Sequence, residues 1–274
     1  MIFAYKSVDI SHFPIGNHSL NLYWLIFFGG ILVIRQLLLV SFRTGFFPII
    51  DDRTSTFVNY PKYVSKIVLW AAIGLQIFGR VGYAFLRSKN HSWSNEPFWF
   101  FQEMGQGLSP RFALLGALVA CWFATRNLRL NYLKLCDLLC FIAPTFLFLV
   151  RILEFLSDPV PGLPTNQSFG IIYPDFGDVA RHPLRLYQAL LEGLFLQFIV
   201  YFSRKQLSRP GYITSIFLIG FIAADDIVAF FRDTSLAPEV VLGNVTFRHW
   251  TALVTVGIVI SIFFKKEKSK AAAH

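Results

Sequence analysis

The sequence predicts an all-α polytopic membrane protein of about seven transmembrane helices, with a loop-rich head on the outer side. Three observations carry that expectation. The 274 residues are 55% hydrophobic and only 15% charged, with mean hydropathy +0.54, whereas soluble domains carry about 25% charged residues. Apolar runs approaching the roughly 20 residues that a bilayer requires recur along the whole length, so residues 1–274 read as a single integral membrane domain. The basic residues are also uneven: with seven spans, 14 Lys and Arg fall in the loops of one side and 6 in those of the other. The richer side is expected to be cytoplasmic, which puts the N-terminus outside and the C-terminus inside.

The first span is read at Leu20–Phe42. No basic start followed by an apolar run precedes it, so no cleavable signal peptide is expected. Arg35, in its inner half, reads as a snorkelling side chain. The inner connection Arg43–Ser65 contains Pro48, Asp51, Asp52 and Pro61. The second span, Lys66–Leu86, carries Phe78-Gly79-Arg80-Val81-Gly82-Tyr83 toward its outer end. The glycines flanking Arg80 let another helix or a ligand approach closely. The third span, Ser109–Thr125, is short and opens with Arg111 after Gly107-Leu108-Ser109-Pro110.

The fourth span, Cys136–Leu156, holds the apolar run from Leu138 to Val150, closed by Arg151, with Glu154 one turn later. Charges at such depth are costly and mark pathways or polar ligands. The outer segment Ser157–Pro183 is dense in Pro and Gly and reads as loop or short strand; long connections of this kind are often functional. The fifth span, Leu184–Phe202, begins after His182-Pro183 and carries Arg185, Tyr187 and Glu192. The sixth, Ile213–Phe231, contains Asp225 and Asp226, with Arg232 at its outer end. The seventh is His249–Phe264, and residues 265–274 form a basic cytoplasmic tail.

The net charge of +9 is a topology signal and an attraction to anionic lipid, not a nucleic-acid surface. Cys136 and Cys140 share a helix face, but no His or third thiol joins them at metal spacing. The three cysteines read as buried packing, and neither metal nor cofactor is expected. Arg80 and Arg151, with Arg111 or Arg185, would suit an anionic headgroup, because guanidinium forks onto phosphate and stays charged at depth. The alternative pairs them internally with Glu154, Glu192, Asp225 and Asp226. A proton-relaying transporter built on Asp225 and Asp226 is a weaker third reading.

Taken in order, these stretches resemble the prolipoprotein diacylglyceryl transferase family, bacterial enzymes that move diacylglycerol from phosphatidylglycerol to a lipobox cysteine. The family's Gly-Gly-Arg-x-Gly-Tyr element is similar to Phe78-Gly79-Arg80-Val81-Gly82-Tyr83. Its Asp and Ala-Pro correspond to Asp137 and Ala143-Pro144, and its Arg-Ile-Gly-Asn-Phe signature to Arg151-Ile152-Leu153-Glu154-Phe155, with Gly162 after it. Its His-Pro-Ser-Gln-Leu-Tyr-Glu resembles His182-Pro183-Leu184-Arg185-Leu186-Tyr187-Gln188, and its Phe-Phe-Arg resembles Phe230-Phe231-Arg232. Four positions depart from the family: Arg111-Phe112-Ala113 stands at His-Gly-Gly, Glu154 at Asn, Asp225 at an arginine and Ala229 at a Glu.

The resemblance implies a multi-pass protein of the bacterial cytoplasmic (inner) membrane. It implies anionic phospholipid as ligand and a lipobox-containing prolipoprotein as acceptor. The implied catalytic residues are His182, Tyr187 and Arg111; those implied for substrate binding are Arg80, Tyr83, Arg151, Glu154, Gly162, Arg185 and Asp225. A thiol of pKa about 8.5 needs a base to become the nucleophile. Arg111 cannot serve, since guanidinium keeps its proton; His182 is the candidate replacement, and the alternative is that His182-Pro183 simply caps the fifth span. Arg111–Asp225 and Arg151–Glu154 are the compensating pairs expected. The departures also imply an alternative, an inactive relative that binds lipid or scaffolds a membrane complex.

Overall fold

The computed structural model describes residues 3–4, 12–15, 18–44, 60–87, 109–126, 131–157, 160–206, 209–235, 241–242, 245–246, 249–250, 252–257 and 259. Helices appear at each of the first six expected spans: α1 (Leu22–Thr44), α2 (Tyr60–Arg87), α3 (Pro110–Arg126), α4 (Tyr132–Ser157), α5 (Leu184–Gln188, Ala189–Phe195 and Leu196–Phe202) and α6 (Tyr212–Ala229). Residues 249–250, 252–257 and 259 of the seventh expected span are helical; the basic tail lies outside the described residues. Four helical segments are long and apolar enough to cross a membrane: Val64–Ala84, Tyr132–Leu156, Leu184–Gln206 and Tyr212–Ala229. A shorter apolar stretch is Phe27–Val40. Large apolar side chains lie exposed along α1 (Phe28, Leu32), α2 (Leu69, Ile77), α5 (Leu194, Phe198) and α6 (Ile219, Ile227), which is the surface lipid covers and water does not.

The chain divides into two compact units, Met1–Leu22 with Cys140–Gln206 and Tyr212–His274, and Tyr23–Leu139 with Leu207–Gly211. In the second, α2 packs along α3. Small residues make this possible: a Cβ on Gly74 would collide with the Gly116 carbonyl oxygen, and one on Gly82 with the Phe112 ring. Such close approach is the usual way helices associate in lipid. Gly82, one of the two glycines flanking Arg80, therefore serves helix packing, the first of the two roles expected. Ser109 N donates to Gly79 O at 3.0 Å and ties the start of α3 to α2. Arg35 does not simply snorkel; its Nε donates to Ser65 Oγ at 3.0 Å. Asp137, buried in α4, accepts from Gly211 N at 2.7 Å, and Gly211 at φ 83° supplies the left-handed turn before α6. Cys121, Cys136 and Cys140 are buried, as expected of packing residues.

In the other unit, the buried side chains of Leu196, Val200, Phe217 and Val228 form the seam of α5 and α6, and Phe217 and Phe221 stack at 6.0 Å. Pro144 sits inside α4 and removes one backbone hydrogen bond there. The head is not all loop. It carries a four-stranded sheet of order β1-β5-β6-β4, with β1 (Phe3–Ala4), β4 (Pro161–Pro164), β5 (Ile171–Ile172) and β6 (Ala180–Pro183). β6 pairs antiparallel with both β5 and β4. Hairpin β2–β3 (His12–Ile15, His18–Asn21) and hairpin β7–β8 (Val241–Leu242, Val245–Thr246) are two-stranded. The strands are short and Pro-rich, so alternation of polar and apolar residues could not register them in the sequence.

Candidate functional site

The strand β6 runs directly into α5, and this junction places most of the candidate residues. His182 lies at the end of the strand, Arg185 and Tyr187 in the first turns of the helix. The helix then opens into a π turn over Ala189–Phe195. Such wide turns are rare and mark functional sites. Glu192 is carried on it and is 0% exposed. Gly193 lets the turn press against α4, since a Cβ there would stand 2.5 Å from Phe148 Cβ.

Opposite, α4 presents Arg151, 4% exposed. Its Nε and Nη2 both donate to Glu192 Oε2, at 2.9 and 2.8 Å. Its Nη1 donates to Glu154 Oε2 at 2.7 Å. Arg185 closes the network, with Nη1 at 3.0 Å from Glu154 Oε2 and 3.1 Å from Gln188 Oε1. Two guanidinium groups thus face two carboxylates and balance in formal charge. The second oxygen of Glu192, Oε1, is buried and has no hydrogen-bond partner among the described residues. Asp225 on α6 is a further electrostatic neighbour of Glu192 and stands 4.0 Å from Arg232 Nη2.

The Arg151–Glu154 pair expected from the sequence is present, but Glu192 is the larger partner. Its signal in the sequence was its position seven residues after Arg185 on one helix; the π turn, which no spacing announces, brings it to Arg151. Arg80, Tyr83 and Arg111 belong to the other unit, Arg80 buried and the other two half-buried. Arg111 and Asp225, the other expected pair, therefore fall in different units.

The rest of the site gathers at the head. His182 Nδ1 lies 2.8 Å from Tyr187 Oη. The imidazole stands among aromatic rings, 4.9 Å from Phe231, 5.9 Å from Phe169 and 5.9 Å from Tyr187, centre to centre. It is partly buried, and that burial holds its pKa below the ordinary histidine value. Gly162 backs this arrangement: a Cβ there would meet Phe231 O at 2.5 Å and His182 Cβ at 2.9 Å. The chain after α6 is strapped to the same strand. Leu163 N donates to Phe231 O at 2.8 Å, Gly162 bridges Arg232, and Arg181 Nη1 donates to Gly162 O at 3.1 Å and Asp233 Oδ2 at 2.8 Å. Hydrogen bonds from Ser235 and then Arg181 hold the Asp233 carboxyl below its usual range. Arg181 and Asp233 were not singled out by sequence, because their pairing joins residues 52 apart.

Gly162 makes a direct test of this packing. Replacing it with alanine forces a methyl into a backbone oxygen, and overpacking of this kind costs about 1–3 kcal/mol. Gly162→Ala should lower the melting temperature of the detergent-solubilised protein by several degrees and weaken the His182 site. An unchanged melt would mean that the strap relaxes without penalty.

Comparison with known proteins adds to this geometry. The family model for prolipoprotein diacylglyceryl transferase matches residues 11–265. The chain is similar to the phosphatidylglycerol–prolipoprotein diacylglyceryl transferase of Rickettsia felis, 31% identical over 188 residues, 68% of this chain and 72% of the relative. It is 31% identical to that of Pseudoalteromonas atlantica over 234 residues, 84% of this chain and 78% of the relative. With that of Idiomarina loihiensis it shares 28% over 218 residues, covering 78% and 82% of the two chains.

Proposed function

Because the chain belongs to the prolipoprotein diacylglyceryl transferase family, we propose that it is a divergent transferase. In this reading it takes diacylglycerol from phosphatidylglycerol in the outer half of the bacterial cytoplasmic membrane and delivers it to a lipoprotein cysteine. The seven-span topology with an outside N-terminus belongs to the same proposal. One observation carries it: His182 is tied through Nδ1 to the Tyr187 hydroxyl at 2.8 Å, which leaves Nε2 to act as a base. For that role the proton sits on Nδ1 and is donated to the Tyr187 oxygen. Nε2 then accepts the proton of the acceptor thiol. The sulfur forms a bond to the lipid glyceryl carbon, the carbon–oxygen bond to phosphate breaks, and glycerol phosphate leaves with the electron pair. The proton on His182 is returned to bulk through the departing phosphate or water. The base supplies proton transfer of the kind worth about 10²- to 10⁴-fold. Arg185, whose Nη1 bonds Glu154 and Gln188 while its buried Nε has no hydrogen-bond partner among the described residues, is a second guanidinium that meets the departing phosphate beside Arg151.

A second reading is favoured by a specific observation. All three nitrogens of Arg151 are engaged by Glu192 and Glu154. In that reading the protein holds anionic lipid, or scaffolds a membrane complex, without turnover. The assay that separates the two is transfer of radiolabelled diacylglycerol from phosphatidylglycerol to a lipobox peptide by the purified protein. It is paired with rescue of a strain lacking the transferase. Turnover establishes the first reading; no turnover together with no rescue establishes the second.

The pH profile follows from the His182 environment. A histidine whose pKa lies below its ordinary value, about 6.5, remains neutral, and so competent as a base, down to a lower pH. The acid limb of kcat/KM should therefore have its midpoint below about pH 6.5, and the rate should fall as pH drops through that midpoint. His182→Gln should remove that limb along with most of the rate. A limb at or above the ordinary value would place the base elsewhere.

A further inference from the structure

The head exposes large apolar side chains among polar ones. Phe169 is 54% exposed, Phe176 41% and Val179 53%. Phe230, at the end of α6, is 82% exposed. Gly177, at φ 95°, turns the chain between Phe176 and Val179. These residues are held close to a membrane-crossing helix by the chain itself. Val179 precedes β6, and β6 runs without interruption into α5 at Leu184, so Val179 stands at most ~17 Å from the first helical residue. β5 and β4 pair with β6. The interfacial layer of a bilayer is roughly 5–7 Å deep on each side, so this tether lets the exposed apolar side chains reach it. α5, which follows β6 directly, itself exposes Leu190, Leu194, Phe195 and Phe198.

We propose that this head surface dips into the interfacial layer of the membrane that holds the helices. His182, whose ring lies 5.9 Å from that of Phe169, then stands at the level of lipid headgroups and not in bulk water. Apolar burial holds the surface there, not charge. Asp175 and Asp178 are exposed in the same turn and an anionic lipid surface repels them. The inference rests on the membrane embedding of the chain and stands whether or not the protein transfers diacylglycerol.

Site-directed spin labelling in nanodiscs tests it. The native Cys121, Cys136 and Cys140 are buried, so a nitroxide reagent goes to an introduced surface cysteine. Phe169→Cys, Phe176→Cys and Val179→Cys report on the head, and Phe198→Cys in α5 calibrates the lipid phase. The label at each head position should collide more with oxygen than with a water-soluble nickel chelate, as at position 198. It should do so equally in phosphatidylcholine and phosphatidylglycerol discs. Adding Phe176→Asp should shift the label of Val179→Cys toward the chelate by severalfold. Head labels as open to the chelate as a solvated tail would overturn the proposal. So would protection that appears only after a lipobox peptide is added, which would make this surface an acceptor-docking face instead.

Discussion

Glu192→Ala should destabilise the protein by about 3–5 kcal/mol, the usual cost of removing one partner of a buried ion pair. The reason is the charge left behind. Arg151 is 4% exposed and gives both Nε and Nη2 to Glu192 Oε2. Glu154 engages only Nη1 and is shared with Arg185, so it cannot neutralise both guanidinium groups. In a span facing lipid there is no water to take over, and an unpaired charge at this depth is harder to bear than in a soluble core. The measurement is thermal unfolding of the purified protein in detergent. The double variant Arg151→Leu/Glu192→Ala should recover part of the loss, with a coupling of about 0.5–3 kcal/mol in the cycle. Equal stability of Glu192→Ala and wild type would mean that the pair is not structural and that Arg151 is held by something else.

That network also shows what the sequence could and could not reveal. The first six helices were legible because each lies on a long apolar run, and α1 to α6 fall on those runs to within one or two turns. The charges inside the runs were legible as anomalies, since Arg151 closes thirteen apolar or small residues, Leu138 to Val150. Its main partner was legible only as one of four candidate carboxylates, Glu154, Glu192, Asp225 and Asp226. Glu192 is 41 residues away, and its approach depends on a π turn and on Gly193 pressing against Phe148, neither of which has a period to read. The head was legible only as Pro- and Gly-rich. Its sheet is built from strands of two to four residues, too short for alternation. His182 and Tyr187 were named together from the resemblance, and their contact at 2.8 Å follows from five-residue spacing across the strand-to-helix junction.

The same geometry sets the conflict at the centre of the proposed function. An arginine that is to meet a departing phosphate works best when its charge is uncompensated until the phosphate develops. Here two carboxylates hold Arg151, with a third, Asp225, as electrostatic neighbour of Glu192. Compensation makes the apo protein stable and weakens the field the reaction needs. Glu192 is too buried to yield, with 0% exposure. Glu154 is the adjustable member, since its side chain retains 18% exposure and bridges both arginines.

Arg151→Ala should therefore reduce diacylglyceryl transfer by about 10²- to 10³-fold, the loss expected when one preorganised charge contact to a transition state is removed. Glu154→Asn should act in the opposite direction. It shortens the side chain by one methylene but keeps an oxygen acceptor, places the residue type found at the resembling family position, and removes one negative charge from between Arg151 and Arg185. Transfer should rise, by up to about 10-fold per 1.4 kcal/mol of field restored, with KM for phosphatidylglycerol falling. The two variants must be read together. Loss on Arg151→Ala with gain on Glu154→Asn means a working site that its own carboxylate damps. Loss on both means that Glu154 is itself a working member, orienting Arg185 for the phosphate. A lack of turnover in wild type that Glu154→Asn repairs would identify the protein as a lipid binder one charge away from catalysis. If Glu154→Asn also fails to produce transfer while phosphatidylglycerol still binds, the damping argument is wrong, and the four departures from the family pattern act together.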